Sequence, residues 1–277
     1  MFSYQILFNR RHVLAKWIRA IALVCLLLGT NAIADSENID RYLGASAKFE
    51  MLVSQKAREH KMPRITEAQA AEVIAILSDT QGFLKSTTYR LKDLNSLMDM
   101  CGKANAAVMS YALFDLKANV DPNSDLKLIA AQTQQLIGRN IRTFQDELSK
   151  LQPFLIRCMA MQIPLFNEFM SSLKPEERTD VSRAGLQRAR LGMLGVYIGG
   201  LQSIISADLS DSYRLNLLES LAETAPAFVT FLPLDARKQI LELAKAALPT
   251  APSNFQLYLT KITEAMSDLR CEGLCSF

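Results

Sequence analysis

Residues 137–151 read IGRNIRTFQDELSKL, and the apolar positions Ile137, Ile141, Phe144, Leu148 and Leu151 recur every three or four residues. That spacing lays one apolar stripe along a helix, whereas a half-buried strand would alternate every second residue. The same pattern runs through Leu91, Leu94, Met98 and Cys101, and again through Phe255, Leu259, Ile262, Met266 and Leu269. No run of alternating β-branched residues competes with it. The expected fold class is therefore all-α, a multi-helix bundle or a set of stacked helical hairpins.

Helices are expected at about 37–60, 67–80, 83–101, 104–118, 124–151, 154–173, 176–206, 211–224, 235–248 and 253–270. Thr66-Glu67-Ala68-Gln69 has the form of a capping box, and Lys174-Pro175-Glu176-Glu177 places proline and acids in a first turn. Pro63, Asp121-Pro122, Pro226, Pro233 and Pro249-Thr250-Ala251-Pro252 punctuate the turns, while Pro164 falls inside an apolar segment and is expected to kink it. Phe166 and Phe169 before Leu173 are faintly echoed by Phe228 and Phe231 before Leu232, too weakly for a repeat.

Upstream of these helices, Arg10, Arg11, Lys16 and Arg19 form a basic, acid-free start. An apolar run over residues 20–29 follows, then small residues up to Ala34. That order is expected of a cleavable signal peptide, residues 1–34, with Asp35 as the new N-terminus. Three alternatives compete: a twin-arginine signal on Arg10-Arg11, a mitochondrial transit peptide and a retained anchor. Arg19 beside the apolar run weighs against the first, uniform apolarity against the second, and the shortness of the stretch against the third. Cys25 lies inside the apolar run after Val24, unlike a lipidated cysteine, and is read as part of the signal. The expected location is the bacterial periplasm, with secretion as the alternative. Residues 35–277 are expected to form one all-helical domain, with a subdivision near 120–123 as a further option.

The formal charge of +3 belongs largely to the signal, so the remainder is close to neutral. It offers no bulk electrostatic reason to hold nucleic acid. Of the two histidines only His60 lies beyond residue 34, so multi-histidine metal sites within one subunit are excluded. His60, near a helix C-terminus, is expected to face solvent there. No glycine-rich phosphate loop, zinc motif or nucleophile elbow occurs, and no cofactor is expected.

Cys101, Cys158, Cys271 and Cys275 form an even set, which in an oxidising compartment favours two disulfides. The preferred pairing joins Cys101 to Cys158 and Cys271 to Cys275. Because Cys-x-x-x-Cys is not the Cys-x-x-Cys of disulfide oxidoreductases, the second pair reads as structural. A competing reading uses the mirror-image segments Met98-Asp99-Met100-Cys101 and Cys158-Met159-Ala160-Met161. If the Met98/Cys101 and Cys158/Met161 faces meet, four sulfur atoms converge in a set suited to Cu(I). A disulfide would consume both thiols.

Gly185, Gly192, Gly195, Gly199 and Gly200 crowd one helix that is apolar throughout its centre. Each glycine costs about 1 kcal/mol against alanine in a helix interior, so a compensating reason is expected. Tight crossing by neighbours in a buried central helix is the first candidate. An apolar groove, a self-association face and membrane contact are the others. Acids and arginines from Glu176 to Arg190 are expected to form local ion pairs around a helix start. The leading functional expectation is a non-enzymatic interaction protein of the bacterial envelope, holding a protein, an apolar ligand or an envelope component between helical hairpins. Its alternatives are a copper-handling protein on the Met/Cys set and a carboxylate-dependent hydrolase using acids such as Asp208 and Asp211.

Overall fold

The structure, a computed structural model, describes residues 36–276 apart from 86, 123, 178, 207 and 272. The signal segment and its cleavage point lie outside the described residues. Among these, the chain is all-helical and no strand occurs. The principal helices are α1 (Ser36–Ala57), α2 (Ala68–Leu77), α3 (Leu94–Ala112), a single turn α4 (Leu116–Asn119) and α5 (Leu126–Thr143). They continue as α6 (Gln145–Ser172), α7 (Asp180–Ile205), α8 (Asp211–Phe231), α9 (Leu234–Ala247) and α10 (Ser253–Met266). A π turn at Gln81–Lys85 precedes α3, and a 3₁₀ turn at Gly273–Ser276 forms the C-terminal tail. No described helix is long and apolar enough to cross a membrane.

The apolar stripes converge on one core that runs from Ile39 to Leu274. Helices α6 and α8 run side by side in the same direction, as the contacts Gln152–Tyr213, Arg157–Glu223 and Phe166–Phe231 show. Helix α7 returns between them in sequence and packs antiparallel to α8, with Tyr197 Oη donating to Leu221 O at 2.8 Å. Helices α9 and α10 form the next hairpin, α10 packing on α8 and α9 on α7. On the other side α3 lies across α6, α1 packs on α3, and α2 packs on α1 and α6.

Several boundaries differ from the sequence expectation for identifiable reasons. The break expected at 152–153 falls at Phe144, where the side chain of Asn140 donates to Ala112 O and Phe114 O. Pro153 is accommodated inside α6. Pro226 likewise sits inside α8, which continues to Phe231. A proline in a helix interior costs about 3 kcal/mol, but continuing the helix buries Phe228 and Phe231, each worth about 1.5–3 kcal/mol. The break expected at Gly102 is absent, and α3 runs straight through it.

The expected capping box at Thr66 does not form, because α2 begins at Ala68 with no side-chain cap. The preceding chain is fixed by tertiary contacts instead. Buried Glu147 of α6 accepts from Arg64 Nε at 3.0 Å and from Ile65 N at 2.8 Å, and Glu67 pairs with Lys56. Pro175 opens a separate 3₁₀ turn, and α7 proper starts at Asp180 under the Thr179 cap.

Candidate functional site

Helix α7 has two unlike faces. Leu186, Arg190, Met193, Tyr197, Leu201 and Ile204 are spaced three or four apart and form its buried stripe. Gly192 and Gly195 lie on the exposed side with half-buried Gly199, flanked by exposed Val181, Leu191 and Ile205. A Cβ built at Gly185, Gly192, Gly195 or Gly199 would meet nothing within 4 Å. Only at Gly200 would it touch a neighbour, Leu221 Cδ1, at 3.2 Å. The expected tight crossing by neighbours is therefore found at Gly200 and not at the other four glycines. Four of the five glycines are not compensated by packing within the chain.

A stability prediction follows from that geometry. Gly192→Ala and Gly195→Ala are each expected to raise the free energy of unfolding by about 1 kcal/mol. Gly200→Ala should fall short of both, since its methyl group must displace Leu221. Urea unfolding of the three variants checks the order, and a loss at Gly192 or Gly195 would contradict the open outer face.

The buried stripe of α7 also carries a charge. Arg190, expected among the charges at the helix start, lies instead on the buried stripe. It is buried and donates to two main-chain carbonyls, Phe231 O through Nε at 3.1 Å and Leu274 O through Nη2. A second buried guanidinium, Arg237 of α9, donates to Asp268 O at 2.6 Å and Arg270 O at 2.9 Å. Together they clamp the tail onto the helices, and Asn167 of α6 accepts from Leu274 N at 2.9 Å. Burial lowers the affinity of both guanidinium groups for their protons. The Asp268 carboxyl is lowered as well, to about 2, but by hydrogen bonds from Arg270 that favour its charged form.

The sulfur residues take up both preferred pairings. Cys101 is joined to Cys158 across α3 and α6, with Cα atoms 5.6 Å apart, and Cys271 to Cys275 in the tail, with Cα atoms 5.2 Å apart. The first disulfide engages both thiols of the Cu(I) set. Met98 lies exposed and Met161 half-buried beside it. Asp208 and Asp211 are both exposed, and each pairs with its own arginine, Arg142 and Arg214. His60 is solvent-facing, as expected, in the left-handed region at φ 52° and 3.7 Å from Asp115. Arg178 lies outside the described residues.

Two surface hollows accompany these features. One, lined by Ser78, Lys150, Arg157 and Glu219, is polar. The other lies between α1 and α2 beside Lys48, Met51, Gln69 and Glu72. Comparison of the chain with protein families, curated proteins and solved structures finds no match in any of the three.

Proposed function

We propose that this is an exported, non-enzymatic binding protein of the bacterial envelope that lays the outer face of α7 against a helical segment of a partner protein. The observation that carries this reading is the outward placement of Gly192, Gly195 and Gly199, with open space where each Cβ would be. A helix that accepts about 1 kcal/mol per glycine without internal repayment has a reason for its bare backbone outside its own fold. Small residues at spacings of three and four let a second helix approach closely, as a ridge into a groove. Leu191, which is 56 % exposed, and Val181 and Ile205 toward the ends supply apolar contact along the same helix.

Export rests on the segment 1–34. It agrees with two disulfides, which persist in oxidising compartments. The test is Gly195→Trp, with Gly44→Trp on α1 as control; both positions are open within the chain. Both variants should unfold at the wild-type denaturant midpoint or slightly above it. Partner association in the envelope should fall at least tenfold for Gly195→Trp alone. Equal association for the two variants, or a wild-type chain that retains no partner, would overturn the reading.

A further inference from the structure

We infer that the Cys271–Cys275 pair is a thiol–disulfide exchange site for a partner dithiol, and that Arg237 stabilises the thiolate the exchange releases. The two sulfurs are unlike. Cys271 is half-buried at the surface, whereas Cys275 is 5 % exposed and its Sγ lies 3.2 Å from Arg237 Nη2. Arg237 is itself 1 % exposed, and no carboxylate among the described residues lies within 4.0 Å of its nitrogens. Its hydrogen bonds go to neutral acceptors: two main-chain carbonyls and this sulfur. Among the described residues this permanent cation has no anion in direct contact, and the Asp268 carboxylate, itself paired with Arg270, acts on it only from beyond 4.0 Å. Reduction of the disulfide would supply a contacting anion.

The asymmetry fixes the direction of attack. A thiolate of the partner reaches the accessible Cys271 Sγ and forms a mixed disulfide, and the S–S electron pair leaves on Cys275 Sγ beside the guanidinium. The partner's second thiol loses its proton to solvent and attacks the partner's own sulfur. That step releases Cys271, which takes a proton from water, and leaves the partner oxidised to its disulfide. Two electrons have passed to the tail, and an oxidised partner reverses every step. A cation beside the leaving sulfur lowers the pKa of that thiol and speeds its departure.

The ring is held by contacts that do not involve sulfur. Leu274 N donates to Asn167, and Leu274 O accepts from Arg190. Cys275 therefore stays beside Arg237 after the bond opens. The Cys101–Cys158 bridge differs, because both residues are buried in the core between α3 and α6. Spacing alone favours a structural role for Cys271–Cys275; the contact that bears on exchange comes from Arg237, on another helix.

Among the described residues, the charged groups that bear on Cys275 are Arg237 of α9, Arg190 of α7, and Asp268 and Arg270 of the preceding segment, the last two paired with each other. In full-length Cys271→Ser, thiolate absorbance at 240 nm should report a Cys275 midpoint at least one pH unit below the ordinary value of about 8.5. Arg237→Lys should keep it low. A midpoint at or above about 8.5 in Cys271→Ser, as for a buried thiol without a cation, would overturn the proposal. In the wild-type chain, a graded dithiothreitol redox buffer followed by alkylation and mass spectrometry should open Cys271–Cys275 at a reductant ratio at least 100-fold lower than Cys101–Cys158. Joint opening of the two pairs would also overturn it.

Discussion

Replacing Cys101 and Cys158 together by alanine is expected to lower the free energy of unfolding by about 4 kcal/mol. The bridge closes a loop with a sequence separation of 57, and the chain-entropy account of a loop of that size gives this magnitude. Domains are stable by roughly 5–15 kcal/mol in total, so the change would remove a large share of the margin. The bridge ties α3 to the middle of α6 and thereby holds the α1–α3 end against the parallel pair α6 and α8. Urea unfolding monitored by circular dichroism measures the effect. The slope should also rise, because the unfolded chain loses its longest crosslink and exposes more surface. A midpoint equal to that of the oxidised wild type would show that the bridge adds nothing to the packing around it.

The second large effect is expected at Phe154. Its side chain is 0 % exposed and lies parallel to Tyr42 at 5.3 Å, while Phe83 meets it edge-on at 6.5 Å. Tyr42 and Phe83 are themselves in edge contact at 5.2 Å, so the three rings close on one another. They come from α1, the π turn and α6, so the cluster ties three separate segments together. Phe154→Ala removes the shared ring and leaves a cavity where relaxation is opposed from two sides. The expected loss is about 3–5 kcal/mol. Phe154→Leu, nearer in volume, should cost less than about 1.5 kcal/mol. Equilibrium denaturation of both variants separates cavity formation from a general intolerance of substitution, and equal losses would contradict the account.

The all-α fold was legible because burial repeats with the helix. Phe255, Leu259, Ile262 and Met266 all reach the core as their spacing predicts, and only Leu269, past the end of α10, emerges into solvent. Helix ends were harder, since they depend on tertiary partners. Phe144 ends a helix because Asn140 is bonded to the end of α3, and Pro226 does not end one because two phenylalanines beyond it are buried. A local window contains neither fact.

The candidate face was half legible. The glycines of α7 stood out by their cost, but the whole central stretch is apolar, so its hydrophobicity does not say which side is inside. Tyr197 does. Counted from Tyr197, the buried stripe takes in Arg190 and Met193 and leaves Gly192, Gly195 and Gly199 outside. Arg237 could have been found in the same way, since it shares a stripe with Ile240, Ala244 and Ala247 on α9. A charge on an apolar stripe marks a buried group that needs acceptors, here the main-chain carbonyls of the tail. That Cys275 lies among them could not be read from spacing, because the contact joins different segments.

The most direct test of the binding face is photocrosslinking in intact cells. A benzophenone side chain would be placed at 192, 195 or 199 on α7 and, as controls, at exposed Gln134 of α5, Lys238 of α9 and Glu264 of α10. The account predicts one discrete adduct of the same mass increment from the α7 positions, none from the controls, and loss of the position-192 adduct when Gly195→Trp is added. Adducts of equal yield from all faces, or none from α7, would contradict it.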